Sequence, residues 1–210
     1  MALALLIRST CRNCGGTTCS QTCFKVKEIR KRPLIIQGFF CLYGFIVYIC
    51  SMQIFLPYND FRKSLRVLDN KRLGKQRVET YQIISAITRR PKLDGTPYKG
   101  WLNHPCTIMW KDYVPALKLY LNYSIDEWIA RGFKNTMSLE SFEEDIVYPH
   151  WFGNEKFHSS HRANLLKKEP DFYNQYGWTE DPSNPYVWMD KENKWYEQHT
   201  GVKGRVYYEQ

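Results

Sequence analysis

DNKRLGKQRVETYQIISAIT, residues 69–88, decides the fold. The stretch reads as one amphipathic helix. Asp69 or Asn70 is a ready N-cap, and Leu73, Tyr81, Ile84 and Ile87 recur near helical spacing as a buried stripe. Arg72, Lys75, Gln76 and Glu79 stand three and four residues apart, so they share the polar face. A single carboxylate among cations is expected to be held ionised, because nearby positive charge favours the charged form. The cations of that face suit a polyanion. The plainer reading is a solvated helix face with Lys75–Glu79 as an ordinary surface pair.

Upstream, residues 52–60 (MQIFLPYND) form an extended lead. Pro57 keeps Leu56 out of helix, and Asn59 or Asp60 caps a short helix over 61–68. Downstream, 89–100 is a loop with an Asp94-Gly95 turn. One long helix is expected from Asn103 as cap, with Pro105 in its first turn, through a kink at Pro115 to Gly132. Its buried stripe is Ile108, Val114, Leu117, Leu121, Ile125, Trp128 and Ile129. A further helix runs from Gly153 or Asn154 through Lys168, and Pro170 opens a last turn with Phe172, Tyr173 and Tyr176. No strand-rich region and no repeat is evident. The expected fold is all-α, a single-domain helical bundle over 52–189, with 190–210 a loose polar tail and 1–51 an extension of different character.

That extension carries seven Lys/Arg against one acid, so the net charge of +9 overstates how basic the main domain is. The local run Arg62, Lys63, Arg66, Lys71, Arg72, Lys75, Arg77 is the better sign of an acidic partner. Six of the seven cysteines precede residue 51, so the main domain is no disulfide scaffold and fits a reducing compartment. Cys11, Cys14, Cys19 and Cys23 approach a zinc knuckle, but Cys19 stands where histidine is usual and the last gap is one residue short; reduced thiols are the favoured reading. Residues 34–52 hold no charge over a length that fits a membrane span, behind a basic flank. Either that span is real and the protein is membrane-associated, or translation starts at Met52 and the protein is cytoplasmic or nuclear.

Three pieces then resemble a known family. Gly100-Trp-Leu-Asn-His104 precedes a long helix ending Glu-Trp-Ile-Ala-Arg131-Gly132-Phe133, and Lys168-Glu-Pro170-Asp-Phe172-Tyr173-Asn-Gln-Tyr176-Gly177 follows downstream. In order and spacing these are similar to the phage endonuclease V type of pyrimidine-dimer DNA glycosylase, over most of 52–178. The opening MQIFLPY and the pieces RLGKQRVE and SSHRANLLKKEP look closer still to a small bacterial branch of unassigned function. The resemblance places Glu79 on the family's catalytic glutamate. It implies a helical enzyme on double-stranded DNA that needs no metal or other cofactor, cutting the glycosidic bond of a pyrimidine dimer and nicking the abasic site through an imine. The family's nucleophile is the α-amine of a small residue exposed after Met removal, whereas here the domain opens Met52-Gln53. Lys75, one turn before Glu79, is the substitute amine, its pKa expected to be lowered by Arg72 and Arg77.

The remaining candidates are DNA contacts. Arg72, Gln76 and Arg77 lie on the first helix. His104 either touches a phosphate or caps a helix. His158, His161 and Arg162 suggest a phosphate-facing patch, a metal pair lacking a clear third ligand. Tyr173 is a base-stacking candidate, although aromatics at this spacing more often join a core. A monomer is expected. Two competing functions stand beside the glycosylase: a non-catalytic nucleic-acid-binding module on the same scaffold, and a membrane-anchored protein of unrelated role.

Overall fold

Short polar side chains start the helices where the sequence places them. Asp60 accepts from Lys63 N to open α1 (Phe61–Arg66), Asp69 from Arg72 N to open α2 (Asn70–Ile87), and Asn154 from Phe157 N to open α5 (Glu155–Lys168). The computed structural model describes residues 52–92, 94–141, 145–199 and 204–209, all within the second of two units that divide at residues 47 and 48. The Cys11–Cys23 cluster, the apolar run up to residue 51, and Glu143 and Glu144 of the acidic stretch lie outside them. Among the described residues no helix is long and apolar enough to cross a membrane. Met52, the last residue of the candidate span, is buried in the domain core.

The long helix expected from residue 103 to 132 is two helices, α3 (Pro105–Trp110) and α4 (Val114–Ala130). Pro115 lies in the first turn of α4, where a missing N–H costs nothing, so it starts a helix instead of kinking one. The cap of α3 is His104, not Asn103: its Nδ1 accepts from Cys106 N at 3.2 Å. Ile129 and Tyr81, assigned to buried stripes, are 53 % and 43 % exposed. α6 (Pro170–Tyr173) follows α5.

The all-α expectation is corrected by an antiparallel sheet in the order β1 (Tyr186–Met189), β2 (Trp195–Gln198), β3 (Val206–Tyr207). Trp188 pairs with Tyr196. β1 rests on α5 and α3, and Trp195 and Tyr196 are buried. The stretch expected as a loose tail therefore supplies two strands. Its polar residues are the hairpin turn, where Asp190 N donates to Lys194 O and Asn193 takes φ +59°.

α2 packs on α4 and α1 on α4. Gly74 permits the closest approach, since a Cβ there would stand 3.0 Å from the Trp128 ring. That ring is fixed: Phe133 stacks on it at 4.2 Å, the Arg77 guanidinium lies 4.0 Å from its centroid, and its Nε1 donates to Lys134 O. Arg131 ties α4 to α1. Its guanidinium donates to Leu65 O, Arg66 O and Leu68 O, at the end of α1 and just beyond it, and its Nε donates to Glu127.

The lead, residues 52–56, is buried along its whole length yet forms neither helix nor strand. Its backbone must find partners elsewhere, and side chains provide them. Gln76 accepts from Phe55 N at 2.9 Å and donates to Gln53 O at 2.7 Å. Tyr120 donates to Phe55 O. His161 Nδ1 accepts from Leu56 N at 2.8 Å, and His158 Nδ1 donates to Leu56 O at 2.7 Å while its Nε2 accepts from Gly153 N. Arg162 donates to Pro57 O. Burial holds both histidines below the ordinary value of 6.5, and His161 feels in addition the charges of His158 and Arg162.

Two outcomes follow from this packing. Gly74→Ala gains about 1 kcal/mol of helix propensity but forces a pinned tryptophan to move, costing about 1–3 kcal/mol. A net loss of stability in chemical denaturation is expected. The second is a pH dependence. The folded chain keeps His104, His158 and His161 neutral, His104 down to about 4, whereas the unfolded chain protonates them near 6.5. Below 6.5 the unfolded state binds more protons, so stability falls as pH falls. Thermal unfolding from pH 7.5 to pH 4.5 should show Tm decreasing, with the loss starting near pH 6.5.

Candidate active site

Glu79 sits in the middle of α2, on the side that faces the buried lead, and is 6 % exposed. Its Oε2 accepts from Gln53 N at 3.3 Å, and its Oε1 lies 3.2 Å from Lys75 Nζ. The carboxyl is raised above the ordinary range. Burial is the largest cause; Lys75, Gln53 N–H and the charge of Lys168 pull the other way without cancelling it. The expectation that neighbouring cations simply hold this carboxylate ionised is thus corrected: desolvation outweighs them. Lys75 is half-exposed at 47 %, so the pair spans from the interior to the surface. Lys71, one turn earlier, and Lys167 and Lys168, at the end of α5, face solvent. Lys168 was not singled out in the sequence, because its place beside Glu79 depends on how α5 packs.

The other expected contacts divide sharply. Gln76 and His161 are wholly enclosed and His158 nearly so, all three engaged with the lead. These three were expected to face DNA, but their polar groups are used by a buried backbone. Arg162 binds Pro57 O, Glu180 at 2.5 Å and Glu155, which closes it to a phosphate in this arrangement. Tyr173 is fully buried, its hydroxyl donating to Asp69 Oδ2 at 2.6 Å, so it is a core residue and not a stacking platform. Arg72 bonds the same carboxylate at 2.6 Å. Burial would raise Asp69, but the hydrogen bonds from Tyr173 and Arg72 overcome it and hold the carboxyl low. Arg77 lies over Trp128 and donates to Asn135 at 3.0 Å. Both guanidiniums are engaged with other partners in the fold. His104 is a cap, flanked edge-on by Trp101 and Trp188, and burial pushes it down to about 4, which makes it neutral near pH 7.

Among the described residues no group of three His, Cys, Asp or Glu side chains is placed to hold a metal ion. Cys106 is enclosed beside the lead, and burial pushes its thiol far up, so it is no nucleophile. The chemistry available at the site is that of a buried carboxylate, an adjacent amine and a rim of lysines.

No curated protein and no solved structure matches the chain. A family model described as pyrimidine dimer DNA glycosylase matches residues 52–141. The span takes in the lead, the Glu79 helix, the His104 cap and the Arg131 tie. Residues 52–141, somewhat less than half of the chain, are thus similar to the pyrimidine dimer DNA glycosylase family.

Proposed function

We propose that this protein removes a damaged pyrimidine from duplex DNA through an imine formed by Lys75, and then cleaves the abasic strand. The observation that carries the reading is the pair itself: an amine 3.2 Å from a buried carboxylate on a helix inside the family-matched span. A raised carboxyl is a good proton acceptor, so Glu79 can take a proton from the Lys75 ammonium and free the amine. The amine attacks C1′ of the deoxyribose. The bond from C1′ to the base nitrogen breaks, and the departing base carries away the electron pair and a second amine proton. The nitrogen lone pair then forms the imine as C1′–O4′ opens, and Glu79 returns its proton to O4′. Lys71, Lys167 and Lys168 around the mouth supply positive charge for the phosphates.

The second reading, a binding module without chemistry, draws on one observation. The nitrogen nearest Glu79 besides Lys75 belongs to Gln53, and it is a peptide nitrogen bonded to a residue packed in the core. It has no nucleophilic lone pair. The glycosylase reading therefore takes its amine from a lysine.

Borohydride trapping separates the two. With a duplex carrying one thymine dimer and a second carrying an abasic site, a covalent adduct mapped to Lys75 is expected. Lys75→Ala should lose the adduct and still bind DNA; full trapping by that variant ends the lysine mechanism, and no adduct with wild-type protein on either duplex leaves the binding module. Glu79→Gln should slow trapping about 10²-fold or more. It should also raise Tm at pH 7. The unfolded chain gives up this proton near 4.5, whereas the fold holds it to higher pH. Ionised Glu79 therefore destabilises the fold increasingly as pH rises through that window, and the amide removes the penalty. The lost pair with half-exposed Lys75 offsets little of it.

A further inference from the structure

The sheet lies beyond residue 141, where the family match ends, yet β1 reaches the Glu79 site. Tyr186, its first residue, sets its ring edge-on to His161, with centroids 5.9 Å apart at 87°. His161 Nε2 is 2.8 Å from the Gln53 carboxamide, and Gln53 N is 3.3 Å from Glu79. Tyr186 is thus two side chains removed from the carboxylate. Its hydroxyl is enclosed and has no partner among the described residues. This unpaired hydroxyl belongs to a ring that packs on the His161–Gln53 link to Glu79. After burial, the charge of Glu79 is the next influence on the Tyr186 phenol, which agrees with this closeness.

We propose that Tyr186 is a substrate-contacting residue, its hydroxyl donating a hydrogen bond to an uncharged oxygen of the nucleotide brought to Glu79. The inference rests on the glycosylase reading above. The chemical class of the acceptor follows from the surroundings. A carboxylate nearby repels phosphate, and the lysines at the rim already suit it. A neutral donor beside that carboxylate suits a deoxyribose oxygen or a pyrimidine carbonyl. Buried polar groups of this kind discriminate strongly, because a ligand that fails to pair with them leaves them unsatisfied.

The test compares the full chain with its Tyr186→Phe variant in borohydride trapping, at saturating DNA, on a thymine-dimer duplex and an abasic duplex. The lost hydroxyl has no partner among the described residues, so Tm should be unchanged or higher. The trapping rate on the dimer duplex should fall about tenfold or more. Retained trapping on the abasic duplex assigns the contact to a base carbonyl, and a matching loss there assigns it to the sugar. Equal rates for variant and wild type on both duplexes overturn the inference and leave the glycosylase reading standing. A fall in Tm with a proportionate loss of DNA affinity marks a structural tyrosine and also overturns it. Absence of any adduct with wild-type protein overturns both.

Discussion

A peptide chain buried outside helix or sheet must have each N–H and C=O met by something. The lead imposes that demand at the centre of this domain, and much of the interior answers it. Gln76 on α2, Tyr120 on α4, and His158, His161 and Arg162 on α5 each bond a backbone group between Gln53 and Pro57. Three helices are drawn to one axis. The arrangement also fixes protonation: His161 accepts through Nδ1 and His158 donates through it, so the two rings are neutral and in different tautomers.

The same demand builds the site. Gln53 N–H is the one lead donor answered by a carboxylate, and that carboxylate is Glu79. Burial beside the lead is what raises Glu79, and its place on α2 is what brings Lys75 to it from the surface. Stability and chemistry oppose each other at this residue. A neutral side chain would suit the interior better, as desolvated charge is costly. A group strained in this way is what a proton-transfer step uses.

Local structure was largely legible in the sequence, and the orientation of polar side chains was not. Asp60, Asp69 and Asn154 as caps, and α2 as a helix with Glu79 beside Lys75, follow from residue type and spacing alone. Which face of α2 or α5 turns inward follows from long-range packing. Gln76, His158 and His161 read as an outward, DNA-facing set because polar residues usually face water. A buried irregular backbone reverses that rule, and no spacing pattern announces one. The sheet escaped for a related reason. Its polar turn at 190–194 separates Trp195 and Tyr196 from the apolar segment they pack against, and strands of four residues give little alternation to read.

Charge divides in a way that bears on how DNA would be held. Three arginines are internal fasteners: Arg72 on Asp69, Arg131 on Glu127 and three carbonyls, Arg162 on Glu155, Glu180 and Pro57 O. A planar guanidinium with five fixed donors fits such multiple bonding, and an ammonium does not. Each of these arginines is neutralised by a carboxylate within the fold. Lys71, Lys167 and Lys168 face solvent instead, on flexible stems and strongly hydrated. Contacts of that kind follow phosphates without reading sequence and weaken steeply with salt. On the proposed function, selectivity for a lesion would come from the polar groups near Glu79 and not from these lysines.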